Sequence, residues 1–303
     1  MAARRGTLIG AKTFMDNIKI RYATTLETDL NAVVKYIYQT EEFPGGSLKE
    51  CALWTKKRIE SGFYIQVAET DREIIGFAVW NISDEPDRKF IYLSMLQIDA
   101  NYQRKGIGQR MIAYGIENAK KNNCIEVVTS PDVETGADIF YRKLGFKDGR
   151  KQYLGNIKTE KYKDYKFEKT ILDKVPFSAV KERKFIFGKC GEFSSRYIWG
   201  KFNQNLSKPS ENTEKQTVVL LADGTYIQII HWDDDDNGVL IIWANTVSYE
   251  DIIKSALSFG YSIGLSQFEI NYLEDEEKFV DGFDIYGKRE SDSFEQIYKI
   301  YST

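Results

Sequence analysis

The sequence predicts an α/β (α+β) fold: a mixed central sheet flanked by helices, followed by a second, smaller α+β domain. Three observations carry that expectation. Phe90–Ile98 is an almost unbroken apolar run of β-branched and aromatic residues, the pattern of a strand buried on both faces. It hands over through Asp99-Ala-Asn-Tyr102 and Gln103-Arg-Lys-Gly-Ile-Gly108 to a helical period, with Ile107, Met111, Ile112, Tyr114 and Ile116 near one face. Strand-like and helix-like stretches alternate on either side, and the second half repeats the order more faintly.

Taken in order, residues 1–14 hold Arg4-Arg5 and little periodicity. They lack the apolar core of a signal peptide and read as an extension or tag remnant. Ile18–Tyr22 alternates as a first strand. Thr25-Leu-Glu-Thr-Asp29 supplies cap residues for a helix reaching about Tyr38, with Leu30, Val33, Val34 and Ile37 inward. Pro44-Gly-Gly46 is a loop, and Leu48–Glu60 a second helix stopped by Ser61-Gly62. Phe63–Glu69 and Glu73–Trp80 form a hairpin around Thr70-Asp71-Arg72, and Asn81–Lys89 reads as a polar connection. After the long helix, Ile125–Thr129 is a strand that ends before Pro131, which has no N–H to give a ladder.

Ala137–Leu144 is a short helix closed by Gly145, and Phe146 opens a last strand or hairpin. Lys161–Lys169 interleaves Lys and Tyr; a terminal strand with a charged solvent face and edge is expected there rather than a nucleic-acid ribbon. Ile171–Phe177 reads as a connection, dividing the chain into domains at 15–172 and 178–303. In the second half, Thr217–Leu221, Asp223-Gly224 and Thr225–Ile230 form a strand–turn–strand. Gly238–Ala244 is an apolar strand, Tyr249–Ser258 a helix and Gln267–Leu273 a strand. Lys278-Phe-Val-Asp-Gly-Phe283 then mirrors Tyr141-Arg-Lys-Leu-Gly-Phe146 at an offset of 137 residues, about a domain length.

The turn at 103–108 carries the chemistry. Gly106 and Gly108 leave the backbone unobstructed where a strand meets a helix N-terminus, and the helix dipole adds positive potential, so the geometry suits a pyrophosphate. Arg104 and Lys105 add charge at its rim. A dinucleotide fingerprint is broken, because Met111 stands where its third glycine belongs, and no Gly-Lys-Ser/Thr follows for a nucleotide loop. Gln103-Arg-Lys-Gly-Ile-Gly108 after an apolar strand resembles the acyl-CoA pyrophosphate loop of the GNAT superfamily of N-acyltransferases. Ala137-Asp-Ile-Phe-Tyr-Arg-Lys-Leu-Gly-Phe146 is similar to the superfamily's Ala-x-x-hydrophobic-Tyr-x-x-x-Gly-Phe segment, in the expected order downstream.

That resemblance implies an acyl-CoA-dependent N-acyltransferase, with acetyl-CoA as co-substrate, no metal, and an amine acceptor that is a small molecule or a peptide lysine. It implies that the pantetheine arm pairs with the main chain of Leu96, Gln97 and Ile98. The pyrophosphate would lie on Gln103, Arg104, Lys105, Gly106, Ile107 and Gly108, with Gln109 at the helix start. Tyr141 matches the superfamily's acid, and a phenol near pKa ~10 is a reasonable donor to a thiolate of pKa ~8.5. Glu134 departs from the asparagine the superfamily often has there. No base stands out: Tyr92, Ser94 and Asp99 lie on or just past the strand, and Asp84, Glu85 and Asp87 precede it. The second half resembles a degenerate GNAT-like repeat. Asn245-Thr-Val-Ser248 replaces the glycine turn and Lys278 stands in the tyrosine position, so a second acetyl-CoA site is not expected.

Other readings are weaker. His231-Trp-Asp-Asp-Asp-Asp-Asn-Gly238 lacks the spacing of a calcium loop, and Asn237-Gly238 signals a hairpin tip. Cys51, Cys124 and Cys190 are too scattered for a disulfide framework or zinc site, which points to a reducing cytoplasm. No apolar run approaches a membrane span. Residues 1–170 hold 28 Lys+Arg against 23 Asp+Glu, and residues 171–303 hold 14 against 22. The mildly basic first half suits an anionic ligand, while the acidic second half disfavours nucleic acid and favours a cationic acceptor. A non-catalytic acyl-CoA-binding module and a protein-interaction scaffold remain the alternatives.

Overall fold

A computed structural model of the chain describes residues 17–39, 47–71, 73–85, 88–131, 135–172, 175–187, 194–203, 214–232, 235–245, 248–291 and 294–300. They fall into two compact units. One holds the described residues up to Asn81 together with Leu93–Cys124; the other holds Ile82–Tyr92 and the described residues from Ile125 onward. The extension at 1–14, the loop Pro44–Gly46, Arg72, Asp87, Glu134, Cys190, Asp233, Asp234, Thr246 and Val247 lie outside the described residues.

In the first unit the elements are β1 (Lys19–Tyr22), α1 (Glu27–Gln39), α2 (Leu48–Glu60), β2 (Tyr64–Glu69), β3 (Ile74–Glu85), β4 (Arg88–Ile98) and α3 (Ile107–Lys121). β1 runs antiparallel to β2 with Lys19 opposite Glu69, and β2 antiparallel to β3 with Tyr64 opposite Trp80. α2 starts on a capping box: Ser47 accepts from the Glu50 amide while the Glu50 carboxylate accepts from the Ser47 amide. Arg21 ties β1 to α1 and β2 through Asp29 at 2.6 Å and Glu69 at 2.8 Å.

α3 is held by a polar relay inside the core. Trp80 Nε1 donates to Gln66 Oε1 at 3.0 Å, and Gln66 Nε2 donates to the Met111 carbonyl at 3.2 Å. Gly115 lets the helix approach the Trp80 ring, since a Cβ there would come within 2.5 Å of it. The buried face of α3 is therefore Ile107, Met111, Ile112, Gly115 and Ala119, while Tyr114, expected inward, is 40% exposed. Its ring meets that of Tyr22 edge-on at 5.3 Å.

The second unit contains the leading end of β4 and then β5 (Glu126–Thr129), α4 (Ala137–Lys143), β6 (Lys147–Asp148), β7 (Gln152–Lys158), β8 (Lys169–Leu172) and β9 (Lys184–Ile186). It continues with α5 (Ser195–Asn203), β10 (Glu214–Leu221), β11 (Tyr226–Trp232), β12 (Asn237–Ala244), α6 (Tyr249–Ser262), β13 (Gln267–Leu273), α7 (Glu277–Val280), β14 (Ile285–Glu290) and β15 (Gln296–Lys299). An eight-stranded sheet runs β14-β7-β13-β12-β11-β10-β8, with β9 added against β12. Central β12 is apolar on both faces. Val239, Ile241 and Trp243 pack with Trp199 on one side, and Leu240, Ile242 and Ala244 face α6 through Ile252, Ile253, Ala256 and Leu257 on the other.

Two strands are exchanged. β7 follows β6 in the chain but lies between β13 and β14, antiparallel to both, whereas the last strand, β15, lies antiparallel between β5 and β6. Each sheet thus receives its penultimate strand from the other part of the chain.

Several expectations are corrected. Asn81–Lys89 is not a polar connection, since β3 continues to Glu85 and β4 begins at Arg88. Asn81 and Ser83 are fully buried, and Ser83 Oγ lies 3.1 Å from Ser195 Oγ, so these polar residues face a partner rather than water. Residues 161–168 are not a terminal strand. A 3-10 turn at Glu160–Tyr162 separates β7 from β8, and the latter occupies part of the expected connection by pairing with β10. α6 extends to Ser262, and Asn237-Gly238 already belongs to β12, with Gly238 opposite His231. Among the described residues no helix is long and apolar enough to cross a membrane, and no group of three His, Cys, Asp or Glu side chains converges as a metal site would require.

Candidate active site

β4 ends at Ile98, and Asp99 starts a 3-10 turn (Ala100–Tyr102) by accepting from the Asn101 amide at 2.8 Å. Gln103 Nε2 then donates back to the Ile98 carbonyl at 3.0 Å, and Lys105 Nζ donates to the Asn101 carbonyl at 2.8 Å. These side chains brace the turn from within. Arg104 and Gly106 adopt left-handed backbone, with φ of 57° and 82°. Gly106 meets that requirement without strain; Arg104 meets it against the usual preference of an L-residue. The result is a sharp entry to α3 with Gln103, Arg104, Lys105, Gly106 and Gln109 exposed, Gly108 half-buried and Ile107 buried.

The first-turn amides of a helix have no intrahelical acceptor, and α3 carries no acidic residue in its first turn. The end is therefore electropositive and open, and Gly106 and Gly108 project no side chain over it. These residues fit the diphosphate of coenzyme A. Ile107, whose side chain is core, could contribute only its backbone. Leu96, Gln97 and Ile98, at the trailing end of β4, are half-buried, whereas Phe90, Ile91, Tyr92 and Leu93 at the leading end are buried.

Tyr141 lies in the second unit, on α4, between Gly136 at φ 73° and Gly145 at φ 93°. It is 6% exposed, with Phe140 and Phe146 rings 5.1 and 5.4 Å away. Burial pushes the phenol up to about 12, opposed by a hydrogen bond with the Thr129 side chain on β5. A buried phenol of this kind keeps its proton at neutral pH. Thr129 has no motif to announce it in the sequence, because its role follows from where β5 meets α4.

The base candidates are engaged elsewhere in different degrees. Ser94 Oγ donates to the Val79 carbonyl at 3.2 Å, Tyr92 packs against Tyr197, and Asp99 caps its turn. Asp84 pairs with Lys89 and Lys181 at 3.6 and 3.5 Å. Glu85 is raised to about 7 by burial, against Arg88 and Arg150, a value suited to proton exchange at neutral pH.

The corresponding strand of the other sheet is closed. β12 pairs in parallel with β13 only over Asn237–Val239, and over Ile242–Ala244 its edge is taken by β9, antiparallel, with Phe185 opposite Trp243. A pantetheine arm adding as a strand would need that same edge. The helix that follows, α6, opens with Glu250 and Asp251, and Asp251 is held ionised by the Tyr165 hydroxyl and Ser248. Negative charge there repels a diphosphate.

Comparison with known proteins finds acetyltransferases. The model of the acetyltransferase (GNAT) family matches residues 33–146. An uncharacterized N-acetyltransferase of Methanocaldococcus jannaschii is 31% identical over 118 residues, which cover 38% of this chain and 50% of that relative. The chain thus spans about half the length of the curated relative it matches. Among solved structures, a GCN5-related N-acetyltransferase from Anabaena variabilis aligns with a TM-score of 0.63 at 12% identity, over 93% of this chain and 73% of that one. One from Kribbella flavida aligns at 0.58 and 10% identity, over 93% and 72%. The fold likeness extends well beyond the matched segment. Over residues 33–146 the chain is similar to the acetyltransferase domain of the GNAT family.

Proposed function

We propose that the protein transfers an acyl group, acetyl in the first instance, from an acyl-CoA to a primary amine by direct attack in a ternary complex. The observation that carries this reading is the entry to α3: two consecutive-but-one left-handed residues, Arg104 and Gly106, open a helix N-terminus that has no acid in its first turn. The equivalent end of α6 carries Glu250 and Asp251 and stands beside a strand already capped by β9. Among the described residues these contrasts favour the α3 entry as the place for a diphosphate.

In this reading the amides from Gly106 to Gln109 receive the pyrophosphate, with Arg104 at the rim, and the main chain of Leu96–Ile98 aligns the pantetheine arm. Coenzyme A supplies the activated thioester. Tyr141 holds a proton at its phenol oxygen and delivers it to the departing sulfur. The acidic second half, with 14 Lys+Arg against 22 Asp+Glu from residue 171 onward, favours a cationic acceptor such as a polyamine, amino sugar or lysine-bearing peptide.

Thermal-shift titration with acetyl-CoA and free coenzyme A, followed by thiol release over a panel of amines, tests the reading. Stabilisation by both ligands and thiol release with at least one amine are expected. Failure of either ligand to stabilise the protein would overturn it. Stabilisation without thiol release would leave an acyl-CoA-binding module, a reading favoured by the prior engagement of Ser94, Asp99 and Asp84.

A further inference from the structure

The last strand of the chain reaches the helix that bears Tyr141. β15 lies between β5 and β6, with Gln296 opposite Thr129 on one side and Asp148 on the other. Gln296 is fully buried, and its Nε2 donates to the Asp138 carbonyl at 3.4 Å and to Asp148 Oδ1 at 3.3 Å. Asp138 is in the first turn of α4, and Arg142, one turn later, binds both Asp138 at 2.5 Å and Asp148 at 3.0 Å. Two positions along β15, the Tyr298 ring lies 5.6 Å from that of Phe146, which is itself 5.4 Å from the Tyr141 ring. Tyr298 also packs over Gly145, where a Cβ would meet it at 3.4 Å.

We propose that Gln296 and Tyr298, donated from the C-terminus by strand exchange, are positioning residues for Tyr141: they clamp α4 onto β5 so that the phenol stays against Thr129. This rests on the reading of Tyr141 as the acid and gives the second lobe a task that needs no second acyl-CoA site. β5 supplies the hydroxyl that orients the phenol, α4 supplies the phenol, and β15 is the element hydrogen-bonded or packed to both. Among the described residues the chain between β5 and β6 contains α4 and no strand, and β15 lies between the two. A strand is a rigid insert whose alternate side chains share one face. Gln296 and Tyr298, two apart, can therefore brace opposite ends of α4 together.

The test places 3-fluorotyrosine at position 141 of the full chain and follows its 19F resonance and phenol titration. In the parent protein a single resonance with a pKa raised over the free amino acid is expected. Tyr298→Ala and Gln296→Ala should split or broaden the resonance and return the pKa toward the free value, while Tyr298→Phe, which keeps the ring, should behave as the parent. Ile253→Ala, a cavity in the other sheet's core, should lower the melting temperature and leave the resonance unchanged. If Tyr298→Ala does not fold, Tyr298→Leu carries the same comparison. Resonances of both the Tyr298 and Gln296 variants that superimpose on the parent's would overturn the proposal. The acid reading is tested separately by thiol release with Tyr141→Phe. An unchanged rate there removes the acid role and leaves the clamp itself standing on its 19F result.

Discussion

Replacing Glu295 with Gln strikes the ionic cluster that seats the exchanged strand. Glu295 is fully buried one residue before β15; its Oε1 lies 2.6 Å from Arg88 Nη1 and 3.1 Å from Arg150 Nη2. Its Oε2 accepts from Arg150 Nε at 3.2 Å and from the Arg150 amide at 3.3 Å. Glutamine keeps the shape and one acceptor but leaves two arginines short of a counter-charge. Removing one member of a buried pair costs about 3–5 kcal/mol. Arg88 retains Glu126, and Arg150 retains Asp275 at 3.7 Å, so the lower end, about 3 kcal/mol, is expected. For a folding unit of this size that lowers the melting temperature by about 6–12 °C. The pH dependence has a definite sign. Burial pushes the Glu295 carboxyl up, but Arg150 and Arg88 outweigh it and hold the group below the usual carboxylate range. A depressed folded-state value contributes stability above the unfolded pKa of about 4.3, lost as pH falls through the folded value. The difference between parent and Glu295→Gln melting temperatures should therefore be full at pH 7 and shrink in acid. Scanning calorimetry from pH 3 to pH 8 reads both effects, with Asp284→Asn, on an exposed pair with Lys161, as a near-silent control. A loss below about 1 kcal/mol at pH 7, or one that grows toward low pH, refutes the account of a dry, compensated cluster.

Four further outcomes follow from the same geometry. Gly106→Ala puts a Cβ on a residue at φ 82° and costs about 1–2 kcal/mol of backbone strain; acetyl-CoA affinity should fall in calorimetric titration while a rise in temperature stability would contradict it. Isothermal titration should give one acyl-CoA per chain, because β9 holds the edge of β12, and a stoichiometry of two would show that strand to be displaceable. Tyr141→Phe should lower turnover by about 10²-fold or more with little change in acyl-CoA affinity, measured by thiol release against titration. Glu276→Gln should stabilise the protein above pH 7: burial raises this carboxyl to about 7, so its charge is a cost that sets in as pH rises from about 4.5, and the Leu273 amide it accepts at 2.9 Å can bond an amide oxygen equally well. Unfolding at pH 5 and pH 8 checks the sign.

Elements whose determinants are local could be read directly. Leu48–Glu60 reads as a helix stopped by Ser61-Gly62, and the helix has those bounds. Gly238–Ala244 reads as an apolar strand because nothing polar interrupts it, and the structure covers both of its faces. Asn81–Lys89 misleads because its polar side chains suggest water, whereas Ser83 finds Ser195, 112 residues away, and Arg88 finds Glu126 and Glu295. Tyr114 misleads because helical period places it inward, whereas its ring meets Tyr22 edge-on and stays 40% exposed. At the turn, glycine spacing reads as an opening that would suit an anion. That Gln103 folds back on Ile98, and Lys105 on Asn101, depends on backbone angles no motif records.

The strand exchange is the deepest case of the same limit. Alternation in Gln152–Lys158 or Gln296–Lys299 identifies a strand and its faces but says nothing about its neighbours, since ladder hydrogen bonds come from a backbone common to all residues. Partner choice is made by the few side chains that differ. Glu295 needs Arg88 and Arg150, Lys299 needs Glu126, and Gln296 needs Asp138 and Asp148; all of these lie around β5 and β6. β7 contributes a glycine instead. Gly155 lies against Ile285 of β14, where a Cβ would come within 2.4 Å, so that strand fits where its neighbour is close. Charge specifies one crossing and close packing the other. Because Glu295 is buried, placing β15 anywhere else would leave Arg88 with Glu126 alone and Arg150 with Asp275 alone. That penalty, more than the four residue pairs β15 makes with β5, commits the C-terminus to the sheet beside Tyr141.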